Sequence, residues 1–280
     1  MTSSTSTTAS TRYDRAAIEQ ALMTEGITAL KGAFPPEWAD RMREDIEALF
    51  AEAQATPGGA LPRGPQRWYV EVPPERIRGF VDIVTHPWFV AVCETVLGRD
   101  YRIVEVGFDI PFPGAADQPW HRDFAVPEAT SKGRRLNSLA FNLTAVDTVP
   151  EMGPFEVAPG TQWDEFEGCD KGMFPPRELW GRYEARAEQK MPRRGDMSVR
   201  SALTVHRGTA NRSDEPRPVL VVGVDAPDAT NAQHHDLQVT RAYLDVLPPL
   251  VRDHLTYRIA DQLEPIVQHH VIEGLLTPAY

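Results

Sequence analysis

Cysteine is nearly absent. Two thiols in 280 residues, Cys93 and Cys169, cannot form a disulfide framework, and no CxxC pair marks a zinc or redox centre. This usage fits a reducing, cytoplasmic setting. No apolar run approaches the roughly 18 residues that span a bilayer, which argues against a membrane protein. The Ser/Thr-rich stretch from Met1 to Arg12 lacks the apolar centre of a secretory signal and reads as a disordered tail. No long Lys/Arg run interrupts a chain of formal net charge −11, so the electrostatic footprint of a nucleic-acid binder is missing. There is no GxGxxG turn, phosphate loop, HExxH helix or internal repeat. What remains is a cytoplasmic enzyme or binding protein whose partner is a small-molecule substrate; its oligomeric state is not written in the sequence.

What is present is a change of period along the chain. Residues 14–24 carry Ile18 and Leu22 four apart, as a helix requires, and Ile27–Leu30 is a short extended piece. Pro35 and Pro36 open a second helix with Trp38, Met42, Leu49 and Phe50 on one stripe. Residues 56–66 are rich in Pro and Gly and read as a loop, and Trp88 to Leu97 is a helix stopped by Gly98. Beyond Gly98 the alternation becomes two-fold. Val104, Val106, Phe108, Ile110 and Phe112 mark one strand. Residues 136–146 mark another, with Leu139, Phe141 and Leu143 on a greasy face and Ser138, Ala140, Asn142 and Thr144 on a small, partly polar one, as suits the wall of a pocket. Phe155–Val157, Ser198–Val205 and Pro218–Val224 are further strands, the last two joined by a turn at 208–216. Helical patterns return from residue 239. Many short strands without regular intervening helices predict an antiparallel sandwich or barrel, mainly β with flanking helices.

Three features carry chemistry. In His121-Arg122-Asp123, residues i and i+2 of an extended segment share a face, so His121 and Asp123 can converge on one ion while Arg122 points away. Alone, such a pair is common by chance. His206 ends the apolar-flanked segment Ala202–Val205, where a single histidine is more often a satisfied core residue. Arg217 follows eleven residues later, across a turn that can return it to the level of His206, and arginine suits a two-pronged grip on a carboxylate. Together they are far more specific. Two histidines and one carboxylate form the facial triad of non-haem iron(II) oxygenases, which leaves positions open for an α-keto acid and dioxygen.

The motifs Gln118-Pro-Trp-His121-Arg-Asp123, Gly153-Pro-Phe-Glu-Val-Ala-Pro159-Gly160-Thr161, Gly195-Asp196 and His206-Arg-Gly-Thr-Ala-Asn211-Arg-Ser213 through Arg217 resemble the phytanoyl-CoA dioxygenase family of Fe(II)/2-oxoglutarate-dependent oxygenases, as does the closing Ile272-Glu273-Gly274-Leu275. The resemblance spans roughly residues 14–275. It implies a double-stranded β-helix (a cupin-like jelly roll) with flanking helices; the chain then reads as a single oxygenase domain over 13–280 behind the tail 1–12, with the irregular segments near 124–135 and 165–190 as lid-like. It implies iron on His121, Asp123 and His206, and the distal carboxylate of 2-oxoglutarate on Arg217. Gln118 and Asn142 match positions that contact the co-substrate in some members, although a tryptophan or threonine is common at the latter. Gly208 stands where some members carry a serine, so a co-substrate hydrogen bond would come from elsewhere, with Thr209 and Thr204 as candidates.

The implied reaction consumes O2, converts 2-oxoglutarate to succinate and carbon dioxide, and oxidises an unactivated C–H bond of a small metabolite. Hydroxylation is the default, with desaturation, epoxidation and ring closure as alternatives. Halogenating relatives resemble this pattern with a small residue in place of the aspartate; Asp123 argues against halogenation. Two competing readings are a zinc or manganese jelly-roll hydrolase or isomerase on the same ligands, and a catalytically silent binding protein. Lys132, Arg134 and Arg135 are candidates for meeting an anionic substrate but read first as a solvated loop. Trp120, Phe124, Phe174 and Trp180 read as core before pocket. The adjacent pairs His234-His235 and His269-His270 are poor ligand pairs and read as surface or structural, and Asp147 and Asp196 as turn residues.

Overall fold

The computed structural model describes residues 13–124, 126–166, 172–229 and 235–269. Asp14 caps the first helix, α1 (Arg15–Thr24), by accepting from the Ala17 amide, and the chain then forms β1 (Ile27–Leu30). Helix α2 (Pro36–Ala55) has proline at its first position, where no amide is needed, and buries Trp38, Met42, Ile46, Leu49 and Phe50. Next come β2 (Leu61–Pro62), β3 (Arg67–Glu71), α3 (Phe80–Val84) and α4 (Pro87–Val96). The β-rich half comprises β4 (Arg102–Pro111), β5 (Ser138–Thr144), β6 (Phe155–Val157), β7 (Glu188–Lys190), β8 (Met197–Ser201), β9 (His206–Gly208) and β10 (Val219–Asp225). A parallel pair, β11 (Gln238–Thr240) and β12 (Arg258–Ala260), lies near the end. Short helices at Arg241–Val246 and Pro249–His254 separate them. Among the described residues no helix is long and apolar enough to cross a membrane.

The large sheet runs β1-β8-β5-β10-β4-β3-β2, with all its pairs antiparallel. The small one runs β7-β6-β9, and His121 bridges to His206 at its edge. From β4 to β10 the chain passes repeatedly between the two sheets, with β6 and β7 together in the small one, which makes the fold a double-stranded β-helix, or jelly roll. One face of the large sheet packs under α1, α2 and α4. There Leu139, Phe141 and Leu143 join Val106, Phe108, Ile110, Leu220 and Val222 in one apolar cluster, with the tilted Phe141 and Phe89 rings 4.2 Å apart between centres. The other face carries the shorter, more polar residues and fronts a cavity. The two-faced pattern of residues 138–144 therefore has its physical counterpart: grease toward the helices, small polar groups toward the space between the sheets.

Three expectations change. The alternation along β4 breaks where the register shifts between Gly223 and Val224, so Ile103, and not Val104, is buried in the core. Ser198–Val205 is not one strand. It ends at Ser201, turns, and re-enters the small sheet as β9, because His206 must leave the large sheet to face its partners. Strand β3 arises just beyond the predicted loop: Trp68 and Val70 face the helices while Arg67, Tyr69 and Glu71 face the cavity. Of the two lid-like segments, the described part of 165–190 places Met173, Gln189 and Lys190 on the cavity wall, whereas none of the described residues in 124–135 lines it. Ile272–Leu275 lie outside the described residues.

Removing the Phe141 ring leaves a void between sheet and helices that neighbours cannot fill. Phe141→Ala is expected to lower unfolding free energy by about 3–5 kcal/mol, read as a fall in the urea midpoint at unchanged slope.

Candidate active site

The site begins with backbone pairing. The extended segment 118–123 lies against the chain leading into β9: His121 and His206 exchange both amide-to-carbonyl hydrogen bonds, at 2.9 and 2.8 Å. The Gln118 amide donates to Gly208 and the Asp123 amide to Ala202, each at 2.9 Å. Residues some eighty positions apart are thereby fixed opposite one another. The Gly153–Thr161 motif supports them from the other side, since β6 pairs Val157 with His206 and Phe155 with Gly208. The Thr161 hydroxyl takes the Val205 amide at 2.9 Å.

His121, Asp123 and His206 offer three ligand atoms that all lie within 4.8 Å of one another. His121 Nδ1 donates to the Pro119 carbonyl at 2.8 Å and His206 Nδ1 to the Thr204 carbonyl at 2.9 Å. With Nδ1 holding the proton, Nε2 of each ring keeps its lone pair for a metal. Asp123 Oδ1 lies 3.5 Å from His206 Nε2. Burial pushes His121 down to about 4 and His206 well below the usual histidine range, where the Arg200 charge adds to the effect, so both rings are neutral ligands at pH 7. This donor set fits an iron(II) ion: two neutral imidazoles and a carboxylate on one side, with the cavity on the other. Arg122 points away as expected, its guanidinium over the Phe166 ring.

A cavity of about 500 Å³ opens from the triad, and Gln118, His121, Asp123, Asn142, His206 and Arg217 all line it. Arg217 is buried, with Nε donating to the carbonyls of Met152 and Gly153 at 3.3 and 3.0 Å. Burial, and then the charge of nearby Arg67, bring it down to about 10. Arg67 was not legible as a site residue. It is wholly buried on the cavity wall and donates to Gln118 Oε1 at 2.7 Å and to the Thr209 carbonyl at 3.0 Å. It also explains Gly208. A Cβ at that glycine would sit 1.6 Å from Arg67 Nη1, so a serine there requires the guanidinium to move from this position. The candidates for replacing the serine are corrected accordingly. Thr209 donates its hydroxyl to the Pro154 carbonyl and Thr204 to the Gly26 carbonyl, and neither lines the cavity, because both point into the packed turns on either side of β9.

Tyr69, Glu71, Glu105 and Arg200 complete the polar wall and were likewise missed; strict alternation of polar residues at 67, 69 and 71 was the available signal. The Tyr69 hydroxyl donates to Glu105, and His235 Nδ1 to Glu71 at 2.5 Å, with Nε2 4.0 Å from Glu105. Burial raises the Glu105 carboxyl. Burial also works against charging His235, but Glu105, Glu71 and Asp225 outweigh it and hold the ring up at about 9. Read as surface or structural, His235 lies in the interior, where its ring and the carboxylates of Glu71 and Glu105 offer ligand atoms all within 4.8 Å of one another, a second group that could hold a cation; His269 is exposed, and His234 and His270 lie outside the described residues. Lys132, Arg134 and Arg135 are exposed, Arg135 pairing with Asp228. Trp120 and Phe174 are core. Phe124 is also core and Trp180 half-buried, and none of the four lines the main cavity. Asp196 accepts from Gly32 and Arg193 amides and closes a turn, as expected, and it also touches the cavity.

A sequence model of the phytanoyl-CoA dioxygenase family matches residues 22–219. The chain belongs to the phytanoyl-CoA dioxygenase family. Dioxygenase aneA of Aspergillus aculeatus is 30% identical over 190 residues, covering 63% of this chain and 58% of that protein. This family member therefore spans less than three fifths of the curated relative's length. The non-haem α-ketoglutarate-dependent carbocyclase SnoK from nogalamycin biosynthesis shares the fold at 19% identity and a TM-score of 0.62, over 78% of this chain and 85% of that one. The epimerase SnoN, solved with Fe3+, α-ketoglutarate and nogalamycin RO, shares it at 19% identity and a TM-score of 0.59, over 79% and 94%.

Two outcomes follow from this geometry. Gly208→Ala should displace the Arg67 guanidinium and cost about 1–3 kcal/mol of stability, and combining it with Arg67→Ala should recover part of that loss in a double-mutant cycle. For His235 the folded-state pKa of about 9 lies above the ordinary value, so its stabilisation is complete below roughly pH 6.5 and is lost as pH rises through 9. The stability gap between the parent protein and His235→Gln should accordingly shrink between pH 6.5 and 9.5 in urea titrations.

Proposed function

We propose that this chain is an iron(II)- and 2-oxoglutarate-dependent dioxygenase that oxidises a C–H bond of a small molecule. The observation that carries the reading is one cavity holding both a neutral-histidine and carboxylate triad and, sunk in its wall, the guanidinium of Arg217. In this reading His121, Asp123 and His206 hold the iron, which, when bound, supplies the activation of dioxygen that no side chain can perform. Arg217 grips the distal carboxylate of 2-oxoglutarate. Its Nε is anchored on two backbone carbonyls, so the fork is held in place before the co-substrate arrives. Arg67 adds a second buried positive charge and orients the Gln118 amide. Asn142 and Thr144 line the same wall from β5.

The protein's remaining work is positioning and the exclusion of water. Both histidines are less than a tenth exposed. A cavity of about 500 Å³ is of small-molecule size. Residue 13 onward acts as a single oxygenase domain, with part of 165–190 closing over the substrate. Hydroxylation is the simplest outcome. Ring closure and epimerisation are alternative outcomes, since one structural neighbour is named an α-ketoglutarate-dependent carbocyclase and another an epimerase. A zinc or manganese enzyme on the same ligands is the competing reading; the buried arginine pair on the cavity wall favours the dicarboxylate.

Anaerobic addition of Fe(II) and 2-oxoglutarate to the apoprotein should produce a weak visible charge-transfer band that is lost in Asp123→Ala. Arg217→Ala removes a charged hydrogen-bonding partner worth about 1.5–3 kcal/mol, so the 2-oxoglutarate concentration for half-saturation should rise about 10- to 100-fold. Tight zinc binding with no band would sink the oxygenase reading, and an unchanged 2-oxoglutarate requirement in Arg217→Ala would remove Arg217 from the co-substrate site.

A further inference from the structure

We propose that Arg200 is a positioning residue that restricts Asp123 to binding the iron through one oxygen. The inference rests on the reading of the triad as an iron site. Arg200 rises from β8 opposite Ala140, whose small side chain leaves room for the guanidinium over the sheet. It is 8% exposed and lines the cavity. Its two terminal nitrogens divide the Asp123 carboxylate between them: Nη1 makes the closest contact, to Oδ2, and Nη2 reaches Oδ1 at 3.2 Å. Oδ1 is also the oxygen that faces His206 Nε2, at 3.5 Å. The arginine thus touches both oxygens but unequally: Oδ2 takes the closer contact, while Oδ1 takes the longer one and is also the oxygen turned to the triad. The guanidinium carbon lies 5.6 Å from the centre of the Phe155 ring, which sits 5.1 Å from the His206 ring, so the arginine is packed against the same wall as the ligands.

The consequence is one of coordination count. A carboxylate free to turn can chelate a metal through both oxygens and so occupy a position that a bidentate α-keto acid needs. A planar guanidinium on Oδ2 blocks that rotation and keeps the position open. Arg200 also brings a positive charge close to the cation, which by itself disfavours metal binding. The two effects act on different measurements. Losing the positioning should weaken 2-oxoglutarate, and losing the charge should leave metal affinity unchanged or improve it. General damage to the site would weaken both.

The test uses the whole chain under anaerobic conditions. Fe(II) or Co(II) affinity is measured alone, then 2-oxoglutarate affinity on the metal-loaded protein, with the visible spectrum recorded at each step. Arg200→Met is expected to bind metal at least as tightly as the parent, to need roughly tenfold or more 2-oxoglutarate, and to show an altered charge-transfer band. Arg200→Lys, which can still hold one oxygen, should fall between the two and serves if the methionine variant does not fold. Parent-like 2-oxoglutarate affinity and spectrum in both variants would overturn the proposal, as would loss of metal binding in a variant whose circular dichroism is unchanged. If the parent protein itself binds no Fe(II), the iron-site reading fails first, and the proposal with it.

Discussion

The paired hydrogen bonds between the backbones of His121 and His206 are the constraint on which the rest of the site depends. A facial triad requires ligand atoms within a few ångströms, yet its members come from two segments about eighty residues apart. Side-chain interactions alone could not hold that separation, because each ring would keep its rotamer freedom and the chain between them its loop entropy. The sheet edge removes both. Once residue 121 is opposite 206, the pleat aims both rings inward, and the carbonyls of Pro119 and Thr204, each two residues before its histidine, take up the Nδ1 protons. Metal-ligand geometry is thereby converted into strand register, and register is what a jelly roll specifies most strongly.

The cavity exists because the large sheet divides labour between its faces. Toward the helices it carries Phe, Leu, Val and Ile, and the apolar burial that holds the domain together occurs there. Toward the small sheet the same strands carry Ala140, Asn142, Thr144, Val219 and Val221, too short to fill the gap between the layers. The space is then furnished by long charged side chains: Arg67 from β3, Arg200 from β8 and Arg217 from the segment just before β10. Each has a fixed partner. Arg67 is held by Gln118 and the Thr209 carbonyl, Arg200 by Asp123, and Arg217 by two backbone carbonyls. Buried cations of this kind are tolerated only when hydrogen-bonded, and partners chosen from the site itself make their placement precise enough to be useful.

Much of this was legible in the chain. The triad, Arg217 and the two-faced strand at 138–144 announce themselves by residue type and spacing, because the chemistry of metal and carboxylate binding admits few alternatives. Gln118 and Asn142 were found through family resemblance and do line the cavity. Arg67, Tyr69, Glu71, Glu105 and Arg200 were not found. An arginine or glutamate in a strand is ordinarily solvated, and nothing local distinguishes one that turns inward. Gly208 shows the same limit from the other side: the missing serine was visible, but the reason for it lies in an arginine 141 positions earlier.

By itself the sequence determined the class of fold, a candidate metal-ligand set and an arginine suited to a dicarboxylate, since hydrophobic period and ligand chemistry are local properties. Only the tertiary structure decided which charged residues became interior, where β8 ends and β9 begins, and how the two oxygens of Asp123 are divided. Those are matters of distance between segments remote in sequence, and distance is set by strand pairing and packing, which no single segment contains.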